Sequence, residues 1–181
     1  MLEIVIKENE MFDEKTETFM YVPETRLRLE HSLVSISKWE SKFKKPFLEK
    51  STQHTDAEML EYIKMMTITQ NVNPNAYLGL SQDNINSISE YINDPMTATW
   101  FSEQQNQRAG KEIVTSELIY YWMIALNIPM ECQKWHLNRL LTLIKVCDLK
   151  QETPKKMSKS TMMSRNHALN QARRAKMHSR G

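Results

Sequence analysis

Cys132 and His136 stand four residues apart, a spacing that puts a thiolate and an imidazole on one helix face and can bind zinc. A structural zinc site needs four ligands. Cys147, on nearly the same face of the same predicted helix, lies roughly 16 Å farther along the axis than His136. The pair therefore reads as a buried thiol and a hydrogen-bonded imidazole, and no metal site is expected. Glu30-His31 falls at the end of a predicted strand, where neighbouring side chains point to opposite faces, so the two cannot act as one acid–base unit unaided. Among the serines and threonines none lies in a GxSxG elbow or similar nucleophile turn. Gly79, Gly110 and Gly181 are too far apart to build a phosphate loop or a dinucleotide turn. The expectation is no catalytic residue and no cofactor.

Charge and methionine give the stronger signals. The chain has 181 residues and a net charge of +2. From Thr153 to Gly181 it carries eight lysines and arginines and no acid, which leaves −6 for the residues before them. A mildly acidic body thus ends in a strongly basic tail, suited to phosphates or to an acidic protein surface. No aromatic residue is interleaved in that tail, which weakens the case for stacking on single-stranded nucleic acid. Thirteen methionines supply flexible, polarizable contacts of the kind that accept varied apolar partners. Met162, Met163, Arg165, Arg173 and Arg174 are the candidate partner-binding residues, because the tail helix that holds them has little core to join.

The elements behind these residues follow from periodicity. Leu2, Ile4 and Ile6 alternate with polar neighbours, Glu8 to Glu17 is a polar break, and Thr18 to Val22 and Arg26 to His31 again read as strands. Three strands in a small antiparallel sheet are expected. At Ser32, a helix cap, the period becomes helical through Leu33, Ile36, Trp39 (or Glu40) and Phe43 until Pro46, and this helix should cover the sheet. Thr55-Asp56-Ala57-Glu58 spells a capping box, with Met59, Tyr62, Ile63 and Met66 as the apolar stripe that follows. Asn73-Pro74 marks a short helical turn, and Ser81 caps a helix carrying Ile85, Ile88, Tyr91 and Ile92 that closes at Asp94-Pro95. Met96 to Lys111 lacks any period and reads as a surface loop.

Thr115 to Leu149 is the most apolar stretch. It predicts two helices broken at Asn127-Ile128-Pro129 and packed as a hairpin, the second opened by Pro129. The first helix should be buried on most sides, and Trp122 and Trp135 should lie in the core. Ser158 caps a last, thinly apolar helix. The expected class is α+β, mostly helical, divided as 1–48 (sheet and covering helix), 49–152 (helical domain) and 153–181 (basic tail). Cys132 and Cys147 are roughly 22 Å apart along a helix, too far for a disulfide, which suits a reducing compartment. No signal peptide and no membrane-spanning run is expected.

Three blocks carry a resemblance: LEHSLVSISKWESKFKKPFL (Leu29 to Leu48), ELIYYWMIALNIPMECQKWHLNRLLTLIKVC (Glu117 to Cys147) and the closing KKMSKSTMMSRNHALNQARRAKMHSRG. With the opening strands and DPMTAT at Asp94 to Thr99, the arrangement resembles the tail assembly chaperones of long-tailed bacteriophages. The resemblance implies a non-enzymatic protein of the host cytoplasm that acts in virion morphogenesis. Its partner would be the tape measure protein, kept soluble until tube subunits polymerise around it, with the major tail tube protein as a further partner. A homo-oligomer is compatible with this role, and a frameshifted longer form is common in the family. The alternative is a small nucleic-acid-binding or tail-associated structural phage protein that uses the +8 tail as an anchor.

Overall fold

The computed structural model describes residues 1–13, 17–49, 51, 53–101, 113–151 and 159–177. Alternating apolar and polar residues build the first part of the chain. β1 (Leu2–Ile6) pairs antiparallel with β4 (Thr25–Leu29), and β2 (Asn9–Asp13) with β3 (Thr18–Val22). The polar break expected over Glu8 to Glu17 is in part a fourth strand: pairing with the strand-forming TFMYV recruits Asn9–Asp13 despite its composition. Both ladders keep one register, from Leu2 opposite Leu29 to Asp13 opposite Thr18, with no residue gained or lost between them. They form two sheets because Pro23, at the interruption, has no N–H to give a ladder. The buried side also changes there. Ile4, Ile6, Leu27 and Leu29 are buried in the first ladder, whereas in the second it is Val22, which by register belongs to the opposite face.

Helix starts are set by short polar side chains. Ser32 caps α1 (Leu33–Phe43) by accepting from the Ser35 N–H, and Ser35 Oγ accepts from the Ser32 N–H in return. Thr55 and Glu58 form the same reciprocal box at the start of α2 (Asp56–Met66). A 3-10 turn follows at Pro74–Gly79, and Ser81 caps α3 (Gln82–Asn93). Thr115 caps α4 (Ser116–Ala125), a second 3-10 turn spans Met130–Lys134, and α5 (Leu137–Gln151) and α6 (Lys159–Met177) complete the chain. The fold is α+β and mostly helical. One hydrophobic core runs from Ile4 to Ile144. The chain divides into two compact units, Met1–Cys147 and Asp148–Gly181. No described helix is long and apolar enough to cross a membrane.

Packing departs from expectation in three places. α1 does not chiefly cover the strands. It packs on α2 and α4, while α3 lies on β1 and the first 3-10 turn on β3. Gly79 allows that last approach, since a Cβ there would meet Ile6 Cγ2 at 3.0 Å and Val22 Cγ1 at 3.2 Å. Second, Pro129 ends the first apolar segment but does not open one long helix. His136 pairs with Ser32 in an isolated antiparallel bridge, and the Leu137 N–H donates to the His31 carbonyl at 2.7 Å. The end of the strand region thus claims the backbone at His136, and α5 starts only after it.

Third, α4 is buried along a single line, Ser116, Ile119 and Met123, because it rests chiefly on α1. Tyr121, Ile124 and Ala125 are exposed, and Trp122 and Trp135 are only half-buried. The tryptophan of the core is Trp39, fully buried against Phe43 and Phe47, with its Nε1–H donating to the Glu58 carbonyl at 3.0 Å. Residues 96–101 have no regular structure. The rest of that expected loop, from 102, lies outside the described residues, as does the expected cap Ser158.

Candidate partner-binding surfaces

Each residue singled out in the tail sits on α6 or its first turn. The helix carries Lys159, Arg165, Arg173, Arg174 and Lys176 and no acid. Met163 is 74 % exposed, and Arg165, Arg173 and Arg174 are exposed, while the side chain of Met162 lies outside the described residues. At about 100° per residue, Met163, Arg174 and Met177 fall on one strip, and Arg173 lies one step round beside Leu169. The candidate residues therefore share a helix but not a face. What they offer is a cationic, acid-free surface in which arginines can meet carboxylates or phosphates in bidentate fashion.

A second surface lies in the first unit. Met59, Leu60 and Ile63 of α2, Tyr77 and Leu78 of the 3-10 turn and Ile85 of α3 line an open, mostly apolar groove of about 320 Å³, with Asp56 at its edge. Leu78 and Ile85 are exposed there. The signal in the sequence was a stripe on α2 wider than one buried face: of its apolar residues only Tyr62, Ile63 and Met66 are buried. The outer face of α4 is the third surface, with Tyr121 63 % and Ile124 67 % exposed.

His31 and His136 meet in a buried cluster. His31 Nδ1 is 2.5 Å from the Tyr62 hydroxyl, and its ring stands edge-on to His136 with centroids 5.1 Å apart. His136 Nε2 pairs with the Tyr91 carbonyl at 2.9 Å, so that nitrogen carries the proton, and Nδ1 accepts from the Asn138 N–H. The Tyr91 hydroxyl donates to Glu30 at 2.6 Å. Burial, then the neighbouring His136, pushes the His31 pKa down to about 3, and burial raises that of Tyr62. Glu30 and His31 accordingly face different partners, as their strand-end placement implies. Cys132 is buried in the 3-10 turn rather than sharing a helix with His136. The cluster joins the end of β4, α2, α3 and the start of α5.

No family model matches the chain, no curated protein matches its sequence, and no solved structure matches its fold.

Proposed function

We propose that this protein is a tail assembly chaperone of a long-tailed bacteriophage, a non-enzymatic binder of the tape measure protein in the host cytoplasm. The observation that carries the reading is the wording of the three sequence blocks, in particular Leu29 to Leu48 and Glu117 to Cys147, which resemble that family. The geometry is compatible with it. A client rich in amphipathic helix exposes apolar stripes that aggregate unless covered, and helix-in-groove docking covers them without demanding one sequence. The groove between α2, the 3-10 turn and α3 and the outer face of α4 are apolar surfaces of the required kind. Met59, partly exposed in that groove, adapts to varied side chains. The basic helix α6 draws acidic client segments more strongly at low salt and contributes contact with tube subunits.

Co-expression with the tape measure protein of the same genome tests the proposal, run beside a nucleic-acid titration in rising salt. A soluble, co-purifying complex with weak nucleic-acid binding is expected. An insoluble client together with tight, steeply salt-sensitive DNA binding would overturn the chaperone reading in favour of a nucleic-acid-binding protein that uses α6.

A further inference from the structure

The ribbon of β2 and β3 exposes an aromatic face. Phe12 and Phe19, directly opposite one another, have ring centroids 5.1 Å apart, and Phe19 is 74 % exposed. Tyr21 lies on the same side, opposite Glu10, and is exposed too. Burial in this ladder is on the other side, at Val22. Glu8 and Glu10 edge the aromatic face, and the Tyr21 hydroxyl donates to Glu8 at 3.0 Å. That hydrogen bond and the two carboxylates raise the Tyr21 pKa, as a negative local field does. Three exposed aromatic rings on one short ribbon are costly to leave in water, and the acids beside them favour a basic partner.

The chain itself contains a segment of the matching chemistry. On α6, Met163, Arg174 and Met177 share a strip without any acid, and both methionines are exposed. From Met163 to Arg174 that strip runs roughly 16 Å, comparable with the roughly 14 Å from Glu8 to Phe12 along β2. Methionine sulfur packs on aromatic rings, and an arginine can lie on a ring while its guanidinium reaches a carboxylate. We propose that the Phe12–Phe19–Tyr21 face is a self-association surface that takes α6 of a second copy of this chain. Arg173 and Arg174 pair with Glu8 and Glu10, and Met163 covers the Phe12 and Phe19 rings. The proposal does not depend on which client the protein carries.

Sedimentation of the full chain over rising concentration and salt provides the test. A mass above the monomer is expected at low salt, declining as salt screens the pairs. Reversing charge on α6 (R173E with R174E) or on the ribbon (E8R with E10R) should each weaken association by about tenfold or more. Combining the four substitutions should restore it. The α6 variant changes only exposed side chains, so it reports on association even if the ribbon variant loosens. A monomer at every concentration, an assembly indifferent to the α6 reversal, or a combined variant that stays dissociated would each overturn the proposal.

Discussion

Trp39 does what Trp122 and Trp135 were expected to do. It is fully buried, hydrogen-bonded through its indole to α2, and packed against Phe43 and Phe47. Trp39→Ala should cost about 3 to 5 kcal/mol, whereas Trp122→Ala, at a half-buried site, should cost clearly less; urea denaturation midpoints of the two variants compare them directly. His31 gives the molecule a pH dependence. Its native pKa lies near 3 because of burial and His136, so the unfolded chain takes up a proton near 6.5 that the native chain refuses. Stability is therefore fully present above that value and falls as pH drops through the window between the two, at up to about 1.4 kcal/mol per pH unit. Glu58 and Glu61, held low chiefly by Lys45 and Lys42 respectively, lose their contribution only at more acidic pH. Denaturation between pH 7 and 5 should show the histidine slope in the native sequence and a flatter line in His31→Gln.

Among the elements, starts and stops were the legible part. Ser32, Thr55, Ser81 and Thr115 each cap the helix that periodicity placed after them, because an N-cap is a local interaction between a side chain and an amide two or three residues on. What surrounds each element was less legible. Asn9–Asp13 looks polar and is a strand because its partner holds it. Met130–Lys134 looks like the opening of a helix and is a separate turn, because His136 and Leu137 are bonded to residues about a hundred positions earlier. The tail's basic character was plain from composition, but the apolar groove required α2, the 3-10 turn and α3 to be brought together. Glu40 shows the same limit. Its periodicity marked it as an alternative to Trp39, yet its role appears only in three dimensions: buried, it accepts from the Ser116 N–H at 2.7 Å and from the Phe47 N–H at 2.9 Å. It thereby satisfies a free amide in the first turn of α4. Glu40→Ala should cost roughly 2 kcal/mol or more, because two amides lose their acceptor, and hydrogen exchange at Ser116 and Phe47 should rise ahead of the α2 amides.

At the scale of the whole chain, opposite charges are segregated. The residues up to 152 carry net −6 and the tail +8, so added salt acts on association far more than on the core. The bonds from His31 to Leu137 and from Glu40 to Ser116 have a further consequence, one of timing. During synthesis, at roughly 5 to 20 residues per second, α1 emerges many seconds before the amides that complete its surroundings. Until residue 137 has left the ribosome, His31 and Ser32 lack their backbone partners Leu137 and His136, and the buried carboxylate of Glu40 lacks α4 for at least part of that time. Stalled nascent chains that expose residues 1–100 should therefore be cut rapidly by protease within α1. Those that expose residues 1–151 should resist, and equal protection of both lengths would show that the first hundred residues fold without waiting for the rest.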